Sequence, residues 1–242
     1  MTAPLTIVSL LPELLGTNGD AANARVLATR VRWAGYDANI IEVRTAADLP
    51  DVVDAVVVGS GSDTDLVAAR DILATLANEF RVWSTGGVPI LAIGTGWELL
   101  SWGIEQHDST VIEGLGLVAG RAVPRPERVT DDLVVASKYG RLIGFENHAR
   151  DYVGAEGSPL GRVISGSGNG AGFEGIVMGE FFGTHLHGPV LARNPGFADH
   201  LLTVMLARHG AVYQRGADAA FADAMAQGAR NQIASRLSLE TE

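Results

Sequence analysis

The amino-acid sequence predicts an α/β protein with a flavodoxin-like order of elements: a mostly parallel central sheet, with antiparallel strands added in the second half. Over the first hundred residues, short apolar runs alternate with segments of helical spacing, which is typical of a parallel sheet covered on both faces. Farther on, glycine-punctuated segments rich in β-branched and aromatic residues indicate further strands. Because no linker or internal repeat interrupts the chain, we expect a single domain over residues 1–242.

Each element follows from a local pattern. Apolar runs predict buried strands over residues 5–11, 38–43, 54–59 and 88–93, and a helix between the first two, which Gly35 ends. Helical spacing predicts helices over residues 63–80, 95–103, 195–209 and 217–237. The additional strands are expected at 115–123, 132–137, 141–146, 161–165 and 174–184.

Composition restricts the possible functions. The net charge of −10 argues against a nucleic-acid or anionic membrane surface, and no apolar run is long enough to insert into a bilayer. The start Met1–Pro4 has no basic segment of the signal-peptide type, so we expect a cytoplasmic protein. The chain contains no cysteine, which excludes a thiol nucleophile and thiolate metal sites. We expect neither a metal nor a cofactor.

The segment Val88–Leu100 is expected to form a buried strand, a tight turn and a helix, with Gly94 at the turn. Nucleophilic hydrolases place their attacking residue at such a turn, because the reversal pushes that side chain out over the end of the sheet. The same pattern also fits an ordinary strand-to-helix turn that needs a glycine. Taken alone, the segment favours this structural interpretation.

Three other segments carry polar groups at positions where strands are expected to end. Gly59–Asp63 could present backbone N–H groups to an anion, or form a plain turn in which Asp63 caps a helix; the plain turn is favoured. His185 and His187 suit a general base better than a metal pair, since no carboxylate completes a ligand set. Gly144–His148 fits a loop in a cleft, or a solvated turn.

Together these blocks resemble the class I glutamine amidotransferases of the CobB/CobQ type, and most of all their stand-alone GatD-type glutaminase subunits of lipid II isoglutaminyl synthase. The resemblance covers nearly the whole chain. The Gly144–His148 and Gly183–Pro189 blocks are specific for it, whereas the glycine-rich turn is not. Further matching residues are Leu11-Pro12, Gly19-Asp20, Asn23, Gly168–Gly170, Glu174-Gly175, Leu191 and Asn194-Pro195.

The resemblance implies a mechanism and a partner. A cysteine at the turn attacks the side-chain amide of L-glutamine, a histidine that matches His187 activates it, and ammonia leaves. Backbone N–H groups near Gly59, Ser60 and Gly61 and after the cysteine, at Thr95, hold the oxyanion. Arg128 matches the arginine that positions glutamine. A Mur-ligase-like subunit of the MurT type activates lipid II glutamate with ATP and receives the ammonia.

This chain departs from that pattern at the expected site. The family's cysteine falls at Gly94, and Thr95 and Glu98 replace a small residue and a glutamine that lies near the substrate. Ser60 interrupts a three-glycine turn, and Ala119 replaces a common aspartate. Gly94 offers no atom for a thioester, and removing the nucleophile of such a unit costs several orders of magnitude in rate. The Thr95 hydroxyl is expected to point elsewhere, and so not to substitute for it.

Three hypotheses follow from these departures. The chain could be a subunit that has lost glutamine hydrolysis but still pairs with a Mur-ligase-like partner, as a binding or regulatory module. It could be an active glutaminase whose cysteine has been replaced by glycine, or a cobyric-acid-synthase-like amidotransferase. It could also bind a small amide through other chemistry, with His187, His148 and Glu146 as acid–base groups. The changes beside Gly94 favour natural loss of activity, and the sequence leaves open whether a partner supplies a third catalytic carboxylate.

Overall fold

A computed structural model describes residues 3–241, and its elements follow the predicted α/β order. The helices are α1 Ala22–Trp33, α2 Leu66–Thr75, α3 Ala77–Thr85, α4 Thr95–Leu100, α5 Val190–Arg193, α6 Pro195–Ala207 and α7 Ala217–Arg236, with a 3-10 turn at Ala46–Asp48. The strands are β1 Leu5–Leu10, β2 Ala38–Val43, β3 Ala55–Val58, β4 Ile90–Ile93, β5 Gly103–Glu105, β6 Val111–Glu113, β7 Arg121–Ser137, β8 Gly140–Val153, β9 Gly161–Ser165, β10 Phe173–Glu174, β11 Ile176–Met178 and β12 Phe181–Thr184.

The central sheet has six strands in the order β11-β12-β4-β3-β1-β2, and all its pairings are parallel except that of β11 with β12. Its central strands are buried on both faces, so their side chains alternate between two apolar clusters. Val56 and Val58 pack towards α2 and α3, whereas Ala55 and Val57 pack towards α1 and α6. The predicted flavodoxin-like arrangement is confirmed.

A second sheet, in the order β10-β9-β7-β5-β6 with β8 paired to β7, is antiparallel apart from β5 with β7. Its two longest strands, β7 and β8, form an antiparallel hairpin. The backbone N–H of His187 donates to the carbonyl of Phe145 at 2.8 Å, which ties β8 to the segment after β12. Among residues 3–241, no helix has the length and apolar character that crossing a membrane requires.

Several predicted boundaries were wrong. The helix expected over 63–80 is two helices, because the chain turns at Leu76, whose side chain is buried. Residues 115–120 are not a strand, and the helix expected over 95–103 ends at Leu100. The short strands β5 and β6 were not anticipated.

Candidate functional site

The carboxyl ends of four parallel strands, β1, β3, β4 and β12, lead into the walls of one cavity of about 310 Å³. Ligands of open α/β sheets bind at this edge. Of the predicted site residues, Ser60, Gly61, Gly94, Thr95, Glu98, Arg128, His148 and His187 line the cavity, whereas Gly59 and Glu146 do not. The carbonyl of Gly59 packs against Gly96. The lining residues are Thr17, Asn18, Ser60, Gly61, Ser62, Asp63, Gly94, Thr95, Glu98, Arg128, Asn147, His148, Ala149, Arg150 and His187.

Gly94 occupies the sharp turn between β4 and α4, with φ 51° and ψ −125°, a conformation that favours glycine. Its N–H donates to the carbonyl of Thr184, and its own carbonyl accepts from Glu98. A Cβ built at position 94 would lie 2.6 Å from the Ser60 hydroxyl oxygen and 2.8 Å from Cε1 of His187. A side chain here would therefore project between the glycine-rich turn and the imidazole, as a nucleophile elbow requires.

His187 is paired with a carboxylate of the same chain. Its Nδ1 lies 2.8 Å from Oδ2 of Asp20, and both side chains are buried. A carboxylate accepts, so Nδ1 carries the proton and Nε2 is left as the basic nitrogen. Nε2 is buried and has no hydrogen-bond partner in the described part of the chain. The pair therefore has the geometry of the base and orienting acid of a catalytic triad, without the nucleophile.

The glycine-rich turn holds two hydroxyl groups against the amides that line the cavity. The N–H of Gly61 donates to Oγ1 of Thr95 at 2.6 Å, and the N–H of Thr95 donates to Oγ of Ser60 at 3.2 Å. The two hydroxyl oxygens lie 3.1 Å apart, within hydrogen-bonding distance of each other. The Thr95 hydroxyl is thus hydrogen-bonded to the turn, through Ser60 and Gly61.

Glu98 is buried and forms an ion pair with Arg150 on β8. Nε of Arg150 donates to Oε2 of Glu98 at 2.8 Å, and Nη1 donates to Oδ1 of Asp63 at 2.9 Å. Burial alone would lower the pKa of Arg150, but the two carboxylates outweigh it and raise that pKa. Glu98, which stands where the resemblance places a glutamine, is therefore a buried carboxylate that is paired with a cation.

Arg128 enters the cavity from an irregular segment of β7. The pairing with β8 is regular up to Pro124 and resumes at Val129, with only Ala149 between their partners Arg150 and His148. Arg128 therefore lies in a bulge, where the regular hydrogen-bonded pairing with β8 is interrupted. Its Nη1 donates to Oδ1 of Asn147 at 2.9 Å, and Nδ2 of Asn147 donates to Oδ1 of Asn18 at 3.3 Å. The exposed guanidinium keeps donors available for an anionic ligand group.

Behind the cavity lies a buried wall of histidines and carboxylates. Glu146 accepts from the N–H groups of Ser167 and Gly168 and from Nε2 of His148, whose Nδ1 donates to the carbonyl of Arg150. Burial would lower the pKa of His148, but these acceptors raise it overall, so the imidazolium form is favoured.

His185 stacks on His148 at 4.2 Å and donates from Nδ1 to Glu174. Burial and the neighbouring His148 charge lower the pKa of His185, which favours its neutral form. Burial would raise the pKa of Glu174, yet its partners, His185 foremost, lower it overall. Glu146 and His148, for their part, are hydrogen-bonded to each other and to backbone groups. These bonds disfavour the hypothesis that the two side chains act as acid–base groups.

Two expectations about the site were wrong. Gly144–His148 is not a loop but part of β8, where Glu146, His148 and Arg150 alternate inward. Ala119 does not line the cavity; its carbonyl accepts the hydroxyl of Tyr152 at 2.6 Å. The departures at 60, 94, 95 and 98 therefore cluster at the site, and the one at 119 lies apart from it.

Sequence reasoning gave no role to Asp20 or Arg150. Asp20 belongs to a matching block, but 167 residues separate it from His187, and spacing carries no signal over such a distance. Arg150 lies two residues beyond the Gly144–His148 block. Its inward position follows only from placing the block on a strand, because side chains two residues apart then lie on the same face.

The chain matches the model of the CobB/CobQ-like glutamine amidotransferase domain over residues 22–195. It belongs to this family. The chain is similar to the lipid II isoglutaminyl synthase (glutamine-hydrolyzing) subunit GatD of Staphylococcus aureus, at 30% identity over 87% of this chain and 88% of the relative. It is also similar to the GatD subunit of Streptococcus pneumoniae, at 28% identity over 84% of this chain and 80% of that one. The resemblance inferred from the motifs is confirmed.

Solved structures support the fold of this amidotransferase-family chain. A crystal structure of a glutamine amidotransferase superposes with a TM-score of 0.56 at 19% identity, covering 82% of this chain and 98% of that chain. The PurLQS structure from Thermotoga maritima gives 0.54 at 14% identity, covering 85% and 99%.

Proposed function

We propose that this chain is the amidotransferase-like subunit of a lipid II-modifying complex, and that it binds L-glutamine without hydrolysing it. Its partner is a Mur-ligase-like subunit, in a cytoplasmic complex of peptidoglycan synthesis, and the chain acts there as a single domain. The GatD relatives are named as subunits of a glutamine-hydrolyzing synthase, which supports the reaction context. The observation that carries the loss of hydrolysis is Gly94 at the elbow, facing an intact His187–Asp20 pair.

Hydrolysis by this route requires a covalent bond to the glutamine carboxamide. A nucleophile at position 94 would attack the carbonyl carbon, the C–N bond would break, and ammonia would leave with a proton from the histidine. Gly94 has no atom beyond Cα to form that bond. The basic Nε2 of His187 accordingly faces a position with nothing to deprotonate on the protein.

Binding needs fewer groups than hydrolysis. The exposed guanidinium of Arg128 suits the α-carboxylate of glutamine, and the amide groups of Asn18 and Asn147 line the same wall. The cavity of about 310 Å³ is large enough for one amino acid. Arg150 pairs with both Glu98 and Asp63, and together with Arg128 it balances the formal charge of these two carboxylates in the cavity lining.

Titration calorimetry of the unaltered chain with L-glutamine tests the binding part of the proposal. We expect saturable binding that Arg128→Ala weakens by about 10-fold or more, the value of a lost charge-assisted hydrogen bond. Arg121→Ala, at an exposed position of the same strand that does not line the cavity, should bind as the unaltered chain does. An absence of binding, or equal losses in both variants, contradicts the assigned pocket.

Co-purification with a Mur-ligase-like subunit encoded in the same genome tests the partner. We expect a stoichiometric complex on size-exclusion chromatography at micromolar concentrations. Separate elution of the two chains would contradict the proposed assembly and leave only the binding module.

One observation favours the alternative of a glutaminase whose cysteine has been replaced. The His187–Asp20 pair is retained with triad geometry, although no residue at position 94 uses it. If this alternative holds, cysteine at position 94 alone restores ammonia release. The Ser60 side chain argues against this alternative, because a Cβ at position 94 would lie only 2.6 Å from its hydroxyl oxygen.

A further inference from the structure

The Ser60 and Thr95 hydroxyl oxygens accept hydrogen bonds from two backbone N–H groups beside position 94. In acyl-transfer sites, two N–H donors must point at the developing oxyanion. Here the N–H groups of Gly61 and Thr95 both line the cavity beside position 94, and each already donates to one of these hydroxyls. Donors engaged within the protein are not available to a ligand without breaking those bonds.

We infer that Ser60 and Thr95 form a hydroxyl plug that closes the oxyanion site, so that glutamine hydrolysis is blocked at three positions and not only at Gly94. This inference rests on the proposed function of the same pocket. It makes Ser60 and Thr95 positioning residues that determine how a ligand can lie. The N–H groups of Gly61 and Thr95 are not free for the carboxamide end, whereas the α-carboxylate end keeps Arg128.

The packing around the elbow shows that the three positions are coupled. A Cβ at position 94 would lie 2.6 Å from Oγ of Ser60, closer than real Cβ contacts, and 3.0 Å from its Cβ, which is a tight contact. Both atoms belong to the serine side chain, which a glycine at position 60 would lack. The present Ser60 side chain therefore fits a glycine at 94 and conflicts with a cysteine there.

The hydroxyl pair is also buried and internally satisfied. Ser60 is 5% exposed and Thr95 is 7% exposed, and the two oxygens lie 3.1 Å apart. A ligand oxygen would have to displace a preformed network, not merely an ordered water. This distinguishes a plug from hydroxyl groups that simply line a pocket.

Three variants test the plug: Gly94→Cys, the same change with Ser60→Gly and Thr95→Ala, and Gly94→Cys with Ser109→Gly as the matched control. Ser109 is exposed, does not line the cavity and has a φ of 66°, which glycine adopts readily. Ammonia release from L-glutamine is measured for each, together with covalent labelling by diazo-oxo-norleucine, a glutamine analogue that alkylates nucleophilic thiols, read by intact mass. Thermal melting confirms that each variant is folded.

We expect the triple variant to release ammonia at least about 100-fold faster than Gly94→Cys, the effect of freeing one oxyanion donor, and to label faster. The control that carries Ser109→Gly should match Gly94→Cys. Equal activity of Gly94→Cys and the triple variant overturns the inference. A folded triple variant that binds glutamine and stays as slow as Gly94→Cys also overturns it. Ammonia release by the unaltered chain would instead contradict the proposed function, independently of this series.

Discussion

At the scale of single residues, the site has the histidine and the aspartate of a catalytic triad, and a glycine without a side chain stands at the position of the nucleophile. Gly94 keeps the elbow geometry, with φ 51°, and its neighbours still point where a nucleophile would stand. That the elbow, the glycine turn and His187 would meet could be predicted, because the carboxyl ends of parallel strands share one edge. Asp20 could not be predicted, because nothing local marks an aspartate before a helix as the partner of a residue 167 positions away.

Gly94→Cys should lower the free energy of unfolding by about 1–3 kcal/mol, the cost of a side chain in a sparsely populated backbone conformation. The close contact with Ser60 adds to the strain. Urea denaturation measures the change. Gly157→Cys, at an exposed glycine with open space around it and no positive φ, provides the control and should cost far less. Equal costs at the two positions would contradict the strained elbow.

Asp20→Ala should destabilise the chain by about 1–3 kcal/mol, because the buried Nδ1–H of His187 loses its acceptor. The N–H of Gly188 loses its bond to the same carboxylate. Asp51→Ala, at an exposed position, should change stability little. Equilibrium unfolding of the two variants decides the matter, and a neutral Asp20→Ala would show that the pair does not hold the imidazole.

At the scale of elements, β8 supplies four neighbouring residues of the cavity wall, residues 147–150. Its inward row of Glu146, His148 and Arg150 follows the two-residue period of a strand. The sequence block around Glu146 indicated a cleft correctly, but its polar density was interpreted as a loop. A strand of buried polar residues lacks the apolar alternation from which strands are normally predicted, which is why this element was assigned wrongly.

Arg150→Met should cost about 3–5 kcal/mol, because it leaves the buried carboxylate of Glu98 without its cation. Adding Glu98→Gln, which removes the charge, should recover part of that loss, so a double-mutant cycle gives a coupling energy of favourable sign. Arg81→Met on the exposed side of α3 is the control, with little expected effect. Additive costs for the two site substitutions would show that the ion pair is not a unit.

At the scale of the whole molecule, two sheets meet at one buried polar wall, and this should shape the dependence of stability on pH. The lowered pKa values of Glu174 and His185 mean that their stabilisation is lost as pH falls below their ordinary values of 4.5 and 6.5. The raised pKa of His148 means that its contribution is present below pH 6.5 and lost as pH rises through the folded-state value. These three groups favour maximal stability near pH 6.5.

The melting temperature measured across the pH range checks this expectation. His148→Gln should flatten the decline on the alkaline side, since no proton is then lost there by this group. An alkaline decline that is as steep in His148→Gln as in the unaltered chain would contradict the assignment of the imidazolium to His148.

The central claim is that this amidotransferase-family chain retains a glutamine site in which no protein atom can attack the carboxamide. The most direct measurement is ammonia release from L-glutamine by the purified, unaltered chain, alone and together with a Mur-ligase-like subunit. We expect no release above the rate in buffer under either condition. Release at a turnover of about 1 s⁻¹ or more, ordinary for an enzyme, would contradict the account.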